Sequence, residues 1–374
     1  MTRWLVTAGD FTTLGGMDRA NHALAGYLAA DETNHVDIVA HRVWPDLDRA
    51  GNVTVHRVAR PLGSHLLGAP LLALKAHRLA RRFDGCTIAN GGNAPHTADV
   101  SWVHYVHGAY DPGHAGPLRM RGHLAHGYYL AREVWALQRA RIVICNSHRT
   151  AKDVRDRVGV PAERIRVVYY GSDPVTFAPV RADARRAARA ALSWPLDRPV
   201  VLFVGALGDR RKGFDRLFEA WRRLCGDASW DADLAVAGHG RDLRTWQRRA
   251  RECRLGSRIR FLGFRDDVER VIAACDLLVH PARYEAYGLA IHEAVCRGLP
   301  AIVAASAGIA ELYPAGLRNL LVQNVEDATE IADRIHRWRW DIDAAAAGVR
   351  EFSDRLRSRT WRDMSVEIQR MVSA

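Results

Sequence analysis

At 374 residues with 48% hydrophobic content, the chain exceeds the size at which a single core keeps growing, so two domains are expected. Lys and Arg (54) outnumber Asp and Glu (42), and the net charge of +12 favours anionic partners: nucleotides, acidic lipid headgroups or nucleic acid. No run approaches the ~18–20 apolar residues of a membrane span, and six cysteines without a Cys-x-x-Cys pair suggest reduced, buried thiols rather than a disulfide framework or zinc site.

In chain order, Met1 to Gly9 is too short and too soon interrupted for a signal peptide and is expected to form a first strand at Trp4–Ala8. Phe11-Thr-Thr-Leu-Gly-Gly-Met17 follows it, and Gly15 and Gly16, lacking a Cβ, allow backbone to approach a ligand closely. Further β-rich runs fall at Val36–Ala40, Val53–His56, Cys86–Ala89, Val100–Val106, Arg141–Cys145 and Arg166–Tyr169. Between them, Pro70 to Phe83 is a basic amphipathic helix with Leu72, Ala76, Leu79 and Phe83 in one stripe and Lys75, Arg78 and Arg82 in another. A Rossmann helix with a wet basic face accounts for it, and so would a helix lying on an anionic bilayer. His104 and His107 are three apart, so on an extended strand they point to opposite faces and share no metal. The polar stretch from Val180 to Arg186, leading to Trp194-Pro195, is the best linker.

The second half repeats the pattern, with strands expected at Val200–Gly205, Leu234–Ala237, Ile259–Leu262, Leu277–His280, Ala301–Ala304 and Leu320–Val322. Alternation of such runs with helical segments implies parallel α/β sheets that bind ligands at the carboxyl ends of their strands. Val204-Gly-Ala-Leu-Gly-Asp-Arg-Arg-Lys-Gly213 leaves a strand and opens a helix, and adjacent cations there can neutralise a diphosphate without a metal. Glu285-Ala-Tyr-Gly-Leu-Ala-Ile-His-Glu293 joins a buried strand to a helix over Ala290–Arg297, with Gly288 at its entrance. Free N–H groups and the helix dipole make that entrance an anion site. A phosphate held there, flanked by carboxylates that accept hydroxyl hydrogen bonds, suits a nucleotide-sugar. Asp-x-Asp occurs at 46–48, 231–233 and 341–343, but none ends a strand, so no metal site is expected. A final helix is expected from Phe352 to Met371.

The Glu285–Glu293 segment resembles the Glu-x7-Glu signature of retaining GT-B glycosyltransferases of family 4, also called group 1. The resemblance implies an α/β GT-B fold of two Rossmann-like doubly wound domains facing across a cleft. Residues 1–178 would bind the acceptor and 196–355 the nucleotide-sugar, while 356–374 would form a helix crossing back to the N-terminal domain. It further implies transfer of a sugar from a UDP-, GDP- or ADP-sugar to a glycan, lipid-linked or small aglycone hydroxyl, with configuration retained, no cofactor and no metal. Glu285 would then lie by the donor sugar, Glu293 on the ribose, and Gly288-Leu289 at the phosphates. Arg211 and Lys212 match the family's basic pair, Arg210 could share the role, and Ala206 stands where many members carry Arg. Gly15-Gly16 resembles the family's N-terminal loop, and Phe264-Arg265 the stretch that receives the base. His107 matches a position that reaches donor sugar or acceptor, whereas His104 is expected to be a packed or bonded histidine. Ser306-Ala-Gly-Ile-Ala-Glu311 matches a loop near the donor, and Thr360-Trp361 the start of the terminal helix. A cytoplasmic enzyme of polysaccharide or lipopolysaccharide synthesis follows, in possible peripheral contact with an anionic membrane and without a nucleic-acid partner. The alternatives are a GT-B nucleotide-sugar epimerase or hydrolase, or a non-catalytic polyanion- or membrane-binding module.

Overall fold

A computed structural model describes residues 2–93, 98–110 and 119–373, and the chain divides into two compact units. The first comprises Met1–Gly171 and Thr360–Ala374, the second Ser172–Arg359.

The first unit is built on a seven-stranded sheet: β1 (Thr2–Thr7), β2 (Asn34–Ala40), β3 (Val53–Arg57), β4 (Cys86–Asn90), β5 (Val100–Val103), β6 (Ile142–Cys145) and β7 (Ile165–Val167). Its order is β3-β2-β1-β4-β5-β6-β7, and the ladders are parallel. Strand order therefore reverses between β1 and β4, where a doubly wound sheet opens a crevice at its carboxyl edge. Helix α1 (Gly16–Ala29) starts beyond β1 with Gly15 as its N-cap. Helix α2 (His65–Ala80) buries Leu72 and Ala76 against Leu5, Val39 and Ala89, with Leu79 and Phe83 packed alongside, so the apolar stripe covers the sheet. Helix α3 (Arg119–Arg139) lies over β5 and β6, where Leu137 joins Val103, Val143 and Cys145 in a closed cluster.

The strand expected to reach Val106 stops at Val103. That residue pairs with Cys145, the last of β6, and beyond it the carbonyl of His104 accepts from the Asn146 side chain at 2.9 Å. With no neighbour to extend the ladder, the chain turns and His107 opens a 3₁₀ turn, His107–Ala109.

The second unit carries a six-stranded sheet: β8 (Val200–Val204), β9 (Asp233–Ala237), β10 (Ile259–Gly263), β11 (Leu277–His280), β12 (Ala301–Ala304) and β13 (Leu321–Val322). The order is β10-β9-β8-β11-β12-β13, again with parallel ladders, and it reverses between β8 and β11. These central strands are buried along their length, which is why they are runs of Val, Leu, Ile and Ala rather than alternating patterns.

The polar stretch expected to be a linker is instead the start of α4 (Ala182–Ala191) in the second unit. Arg189 anchors it: buried to 3% exposure, it donates to Asp276 at 2.6 Å and to the carbonyls of Ala274, Pro195, Leu196 and Arg198. The one helix expected from Phe352 is two, Arg350–Ser358 and Trp361–Ser373, the latter belonging to the first unit. A capping box makes the break: Asp363 N–H donates to Thr360 Oγ1 (3.2 Å), and Thr360 N–H donates to the Asp363 carboxylate (2.8 Å). The last helix packs on α1, with Tyr27 donating to Gln369 Oε1 at 2.9 Å. Among the described residues no helix is long and apolar enough to cross a membrane.

Candidate functional site

In the second unit the predicted residues converge at the strand-order reversal. The loop after β8 carries a 3₁₀ turn, Arg210–Lys212, capped by the Asp209 side chain, and Gly213 leads into α5 (Phe214–Leu224). Gly213 has φ +72°, and a Cβ there would stand 1.9 Å from the carbonyl oxygen of Pro281 in the loop after β11. Only glycine lets these two loops close, and closure brings Lys212 to Glu285, with Nζ 2.7 Å from Oε2. The same carboxylate oxygen faces His280 Nε2 at 2.9 Å, and His280 is the last residue of β11. Burial would raise the Glu285 carboxyl, but the Lys212 ammonium and the His280 hydrogen bond hold it well below the usual carboxylate range. Glu285 is therefore ionised, with one oxygen held by Lys212 and His280.

Helix α6 (Leu289–Cys296) begins beside it, its entrance set by Gly288 at φ +108°, where a Cβ would meet Ile291 at 2.8 Å. The first N–H groups of a helix have no acceptor within it, so Gly288-Leu289 presents donors toward an anion. The loop at Ser306–Glu311 fastens this segment: Gly308 N–H donates to the Glu285 carbonyl (3.0 Å) and Ile309 N–H to that of Tyr287 (2.7 Å). Glu293 lies within α6 at 4% exposure. One residue earlier, His292 Nδ1 meets Tyr287 Oη at 2.6 Å. Burial, and then the charge of Arg359, push that imidazole down to about 4, so it is neutral.

Arg211 and Arg210 differ in their engagement. The Arg211 guanidinium is paired with Asp209, Nε to Oδ2 at 2.9 Å, and although burial would raise that carboxyl, the pairing holds it below its ordinary range. Arg210 is exposed, and its carbonyl accepts from Arg283 at 2.7 Å. Phe264 and Arg265 follow β10, two strands from β8 and thus about 10 Å along the sheet. Phe264 is 68% exposed, and Arg265 is tied to Asp267 at 2.6 Å.

In the first unit, His107 is held by Glu133 of α3. Its backbone N–H donates to one carboxylate oxygen and its Nδ1 to the other, both at 2.9 Å, while Tyr129 stacks on the ring at 5.4 Å. A carboxylate partner on Nδ1 leaves Nε2 as the acceptor of the ring, and the Tyr105 hydroxyl stands 3.3 Å from it. Gly15 and Gly16 start α1, whose first turn carries Asp18; burial, then the charge of Asp10, push its carboxyl up to about 7. His104 is buried and bonded to the Tyr170 hydroxyl.

Sequence reasoning passed over Glu133, which lies 26 residues from His107 on a helix with no local signal of its role. It also passed over His280, although a strand-ending histidine five residues before Glu285 was a readable cue. Among the described residues no three His, Cys, Asp or Glu side chains group as a metal site requires, and several of the Asp-x-Asp carboxylates have other partners. Asp46 meets His22, Asp48 meets Arg57 and Asp231 meets Arg339, while Asp341 caps a helix.

Two family models match the chain: Glycosyl transferases group 1 over residues 184–345 and Glycosyltransferase Family 4 over residues 14–175. The chain is 32% identical over 149 residues to a lipopolysaccharide core biosynthesis glycosyltransferase of Rhizobium meliloti, covering 40% of this chain and 42% of that one. It is likewise 32% identical over 176 residues to a GDP-mannose-dependent phosphatidylinositol dimannoside mannosyltransferase of Mycobacterium tuberculosis, covering 46% of this chain and 43% of the relative. The chain thus spans less than half the length of these curated relatives. The fold is shared more widely. Sucrose-phosphate synthase of Thermosynechococcus elongatus superposes with a TM-score of 0.81 at 22% identity, over 99% of this chain and 98% of that one. Anabaena HepE, crystallised with UDP-glucose, superposes with a TM-score of 0.74 at 21% identity over the full length of both. The two doubly wound units are those of the GT-B architecture, and the chain belongs to the group 1, or family 4, glycosyltransferases.

Proposed function

We propose that this protein transfers a hexosyl group from a nucleoside-diphosphate sugar to an acceptor hydroxyl, with retention of anomeric configuration and without a metal. The observation that carries the reading is the Lys212–Glu285 contact beside the α6 entrance, where one family model overlies the chain. Lys212, with Arg211 or Arg210, and the amides at Gly288-Leu289 neutralise the departing diphosphate. Such preorganised charge stabilises a developing anion without reorganising during reaction. Glu285, ionised and immobilised by Lys212 and His280, accepts hydrogen bonds from the donor sugar hydroxyls. Glu293 takes the ribose hydroxyls, and the backbone at Phe264 and Arg265 meets the base. The bond from the anomeric carbon to the diphosphate oxygen breaks, and a bond to the acceptor oxygen forms on the same face. The acceptor proton passes to the leaving phosphate oxygen. In the first unit, His107, oriented by Glu133, is assigned to the sugar or acceptor hydroxyls, one of which would take the place of the Tyr105 hydroxyl at Nε2. Binding of UDP-glucose by HepE and use of GDP-mannose by the mycobacterial relative support a nucleotide-sugar donor without choosing the base.

We also place the protein peripherally at an anionic membrane on the cytoplasmic side. Leu67 (46% exposed), Leu71 and Leu74 stand out of α2 in company with Lys75 and Arg78, the combination that favours an acidic lipid surface. The deciding experiment measures NDP-sugar turnover, with product analysis in the presence and absence of acceptor, for wild type, Lys212→Ala and Glu285→Ala. Losses of about 10²–10³-fold are expected for either substitution. Wild-type rates in both would refute the assigned roles, and acceptor-independent products would turn the reading to a hydrolase or epimerase.

A further inference from the structure

Arg283 lies in the loop after β11, two residues ahead of Glu285, and its side chain is 20% exposed. Its Nη1 donates to the carbonyl of Arg210 and to Asp215 Oδ1, both at 2.7 Å. Its Nη2 donates to Asp215 Oδ2 at 2.8 Å and to Glu326 Oε2 at 3.1 Å, while Nε donates to Glu326 Oε1. A guanidinium has five N–H groups, and here each has an acceptor. Asp215 is the second residue of α5, and Glu326 follows β13. One side chain thus ties together the segments that leave β8, β11 and β13 at the carboxyl edge of the sheet.

Burial would raise the Asp215 carboxyl, but the bond to Arg283 holds it below its ordinary range, and the same guanidinium lowers Glu326. Arg216 Nε stands 2.9 Å from Glu326, so two carboxylates face two guanidinium groups and their charges balance. With every donor taken and its charge matched, Arg283 is no phosphate ligand, because an anion would have to break a bidentate carboxylate pair to reach it. What it supplies is geometry. Besides the side-chain bond to the Arg210 carbonyl, the Arg283 backbone N–H donates to the Arg211 carbonyl at 2.7 Å. Those two carbonyls belong to the planar peptide units that lead into Lys212, so holding both fixes the direction in which the lysine leaves its turn. The chain running on from Arg283 delivers Glu285. A single residue therefore sets both ends of the 2.7 Å contact between Lys212 and Glu285.

We propose that Arg283 is a positioning residue for glycosyl transfer, touching neither donor nor acceptor and acting by holding the Lys212 turn against the Glu285 loop. Its effect on turnover rests on the assignment of Lys212 and Glu285 to the donor, whereas its effect on their contact does not.

The test compares Arg283→Met, Arg283→Lys and Arg216→Met in the full chain, each checked for folding by thermal unfolding. Turnover is read as release of UDP or GDP from UDP-glucose and GDP-mannose. Arg283→Met should lower kcat about 10- to 100-fold while the donor KM stays within about threefold, the pattern of a misplaced group that acts in the transition state. A merely structural role would reduce the amount of folded enzyme and leave kcat per folded molecule unchanged. Arg283→Lys keeps the charge but lacks the planar fork that reaches all the acceptors, and should remain at least about fivefold below wild type. Arg216→Met removes the other cation on Glu326 without touching the Lys212 turn, and should match wild type. Crystal structures give a second readout that needs no turnover: Lys212 Nζ should lie within hydrogen-bond distance of Glu285 in wild type and beyond about 3.5 Å in Arg283→Met. Should Arg283→Met fail to fold, Asp215→Asn, which loosens the grip on the guanidinium at constant shape, takes its place in both measurements with the same direction expected. The proposal is overturned by an unchanged contact in the variant crystal, by wild-type kcat in the folded variant, by full recovery with lysine, or by an equal loss in Arg216→Met. Absence of NDP-sugar turnover in wild type would remove the transferase reading and leave the crystal comparison to decide the positioning.

Discussion

Replacement of Lys212 by methionine isolates the charge that holds Glu285. The side chains of this pair are 25% and 15% exposed, and Nζ lies 2.7 Å from Oε2. Methionine preserves much of the length of lysine but leaves the carboxylate with His280 alone. A fully buried pair broken on one side costs about 3–5 kcal/mol, and the residual exposure here reduces the expectation to about 1–3 kcal/mol. The double variant Lys212→Met/Glu285→Gln should recover at least half of that loss, because a neutral amide no longer strands a charge. The pH dependence has a definite sign. The folded-state carboxyl of Glu285 lies below its ordinary value of 4.5, so its stabilisation is present above pH 4.5 and is lost as pH falls through the lower folded value. The difference between wild type and Lys212→Met should therefore narrow below pH 4. Urea unfolding followed by circular dichroism at pH 7 and at pH 3.5 measures both quantities. Equal stability of wild type and the single variant at pH 7, or a double variant no better than the single, would refute the electrostatic account of this contact.

Asp18 gives the opposite slope. Its carboxyl is raised from 3.8 to about 7, so the folded state holds a proton that the unfolded chain releases, and this contribution fades as pH climbs from 4 to 7. After discounting for partial exposure, Asp18→Asn should be about 1–2 kcal/mol more stable than wild type at pH 8 and equal to it near pH 4; parallel stability curves would exclude the effect. Arg189→Met removes the anchor of α4, leaving several buried carbonyls unmatched while Asp276 keeps Arg185 and the Val200 N–H, and should cost about 1–3 kcal/mol in chemical denaturation. Leu67→Ser/Leu71→Ser should reduce binding to vesicles containing phosphatidylserine by at least about fivefold, as judged by sedimentation, whereas neutral vesicles should bind neither protein appreciably. Vesicle binding that is unchanged by the substitutions would detach α2 from the membrane.

Much of the architecture was legible because a buried parallel strand must be apolar along its length. Val200–Val204 and Leu277–His280 admit little else between helical segments, and the turns that follow them carry glycine and charge. The position of Glu285 relative to Gly288 was likewise a local matter of spacing. What stayed hidden depends on partners distant in sequence. The strand at Val100 ends early because its neighbour ends, and Ala182–Ala191 is a packed helix because Asp276, 87 residues after Arg189, receives that guanidinium. The role of Glu133 beside His107 arises only when elements far apart in the chain become neighbours. Helical periodicity identified the stripe of α2 that faces the sheet, but not the leucines on the opposite side.

The clearance at Gly213 links two stretches of sequence that would otherwise vary separately. Even alanine would drive a carbon into the Pro281 carbonyl, so relief must come from spreading the two turns, and Lys212 would then leave Glu285. In a saturation library, residue 213 should behave as an off-switch rather than a dimmer: every replacement should depress sugar-nucleotide affinity and fold stability together. Reversion, if it occurs, should appear in the segment around Pro281, where a compensating shift of backbone could reopen the missing space.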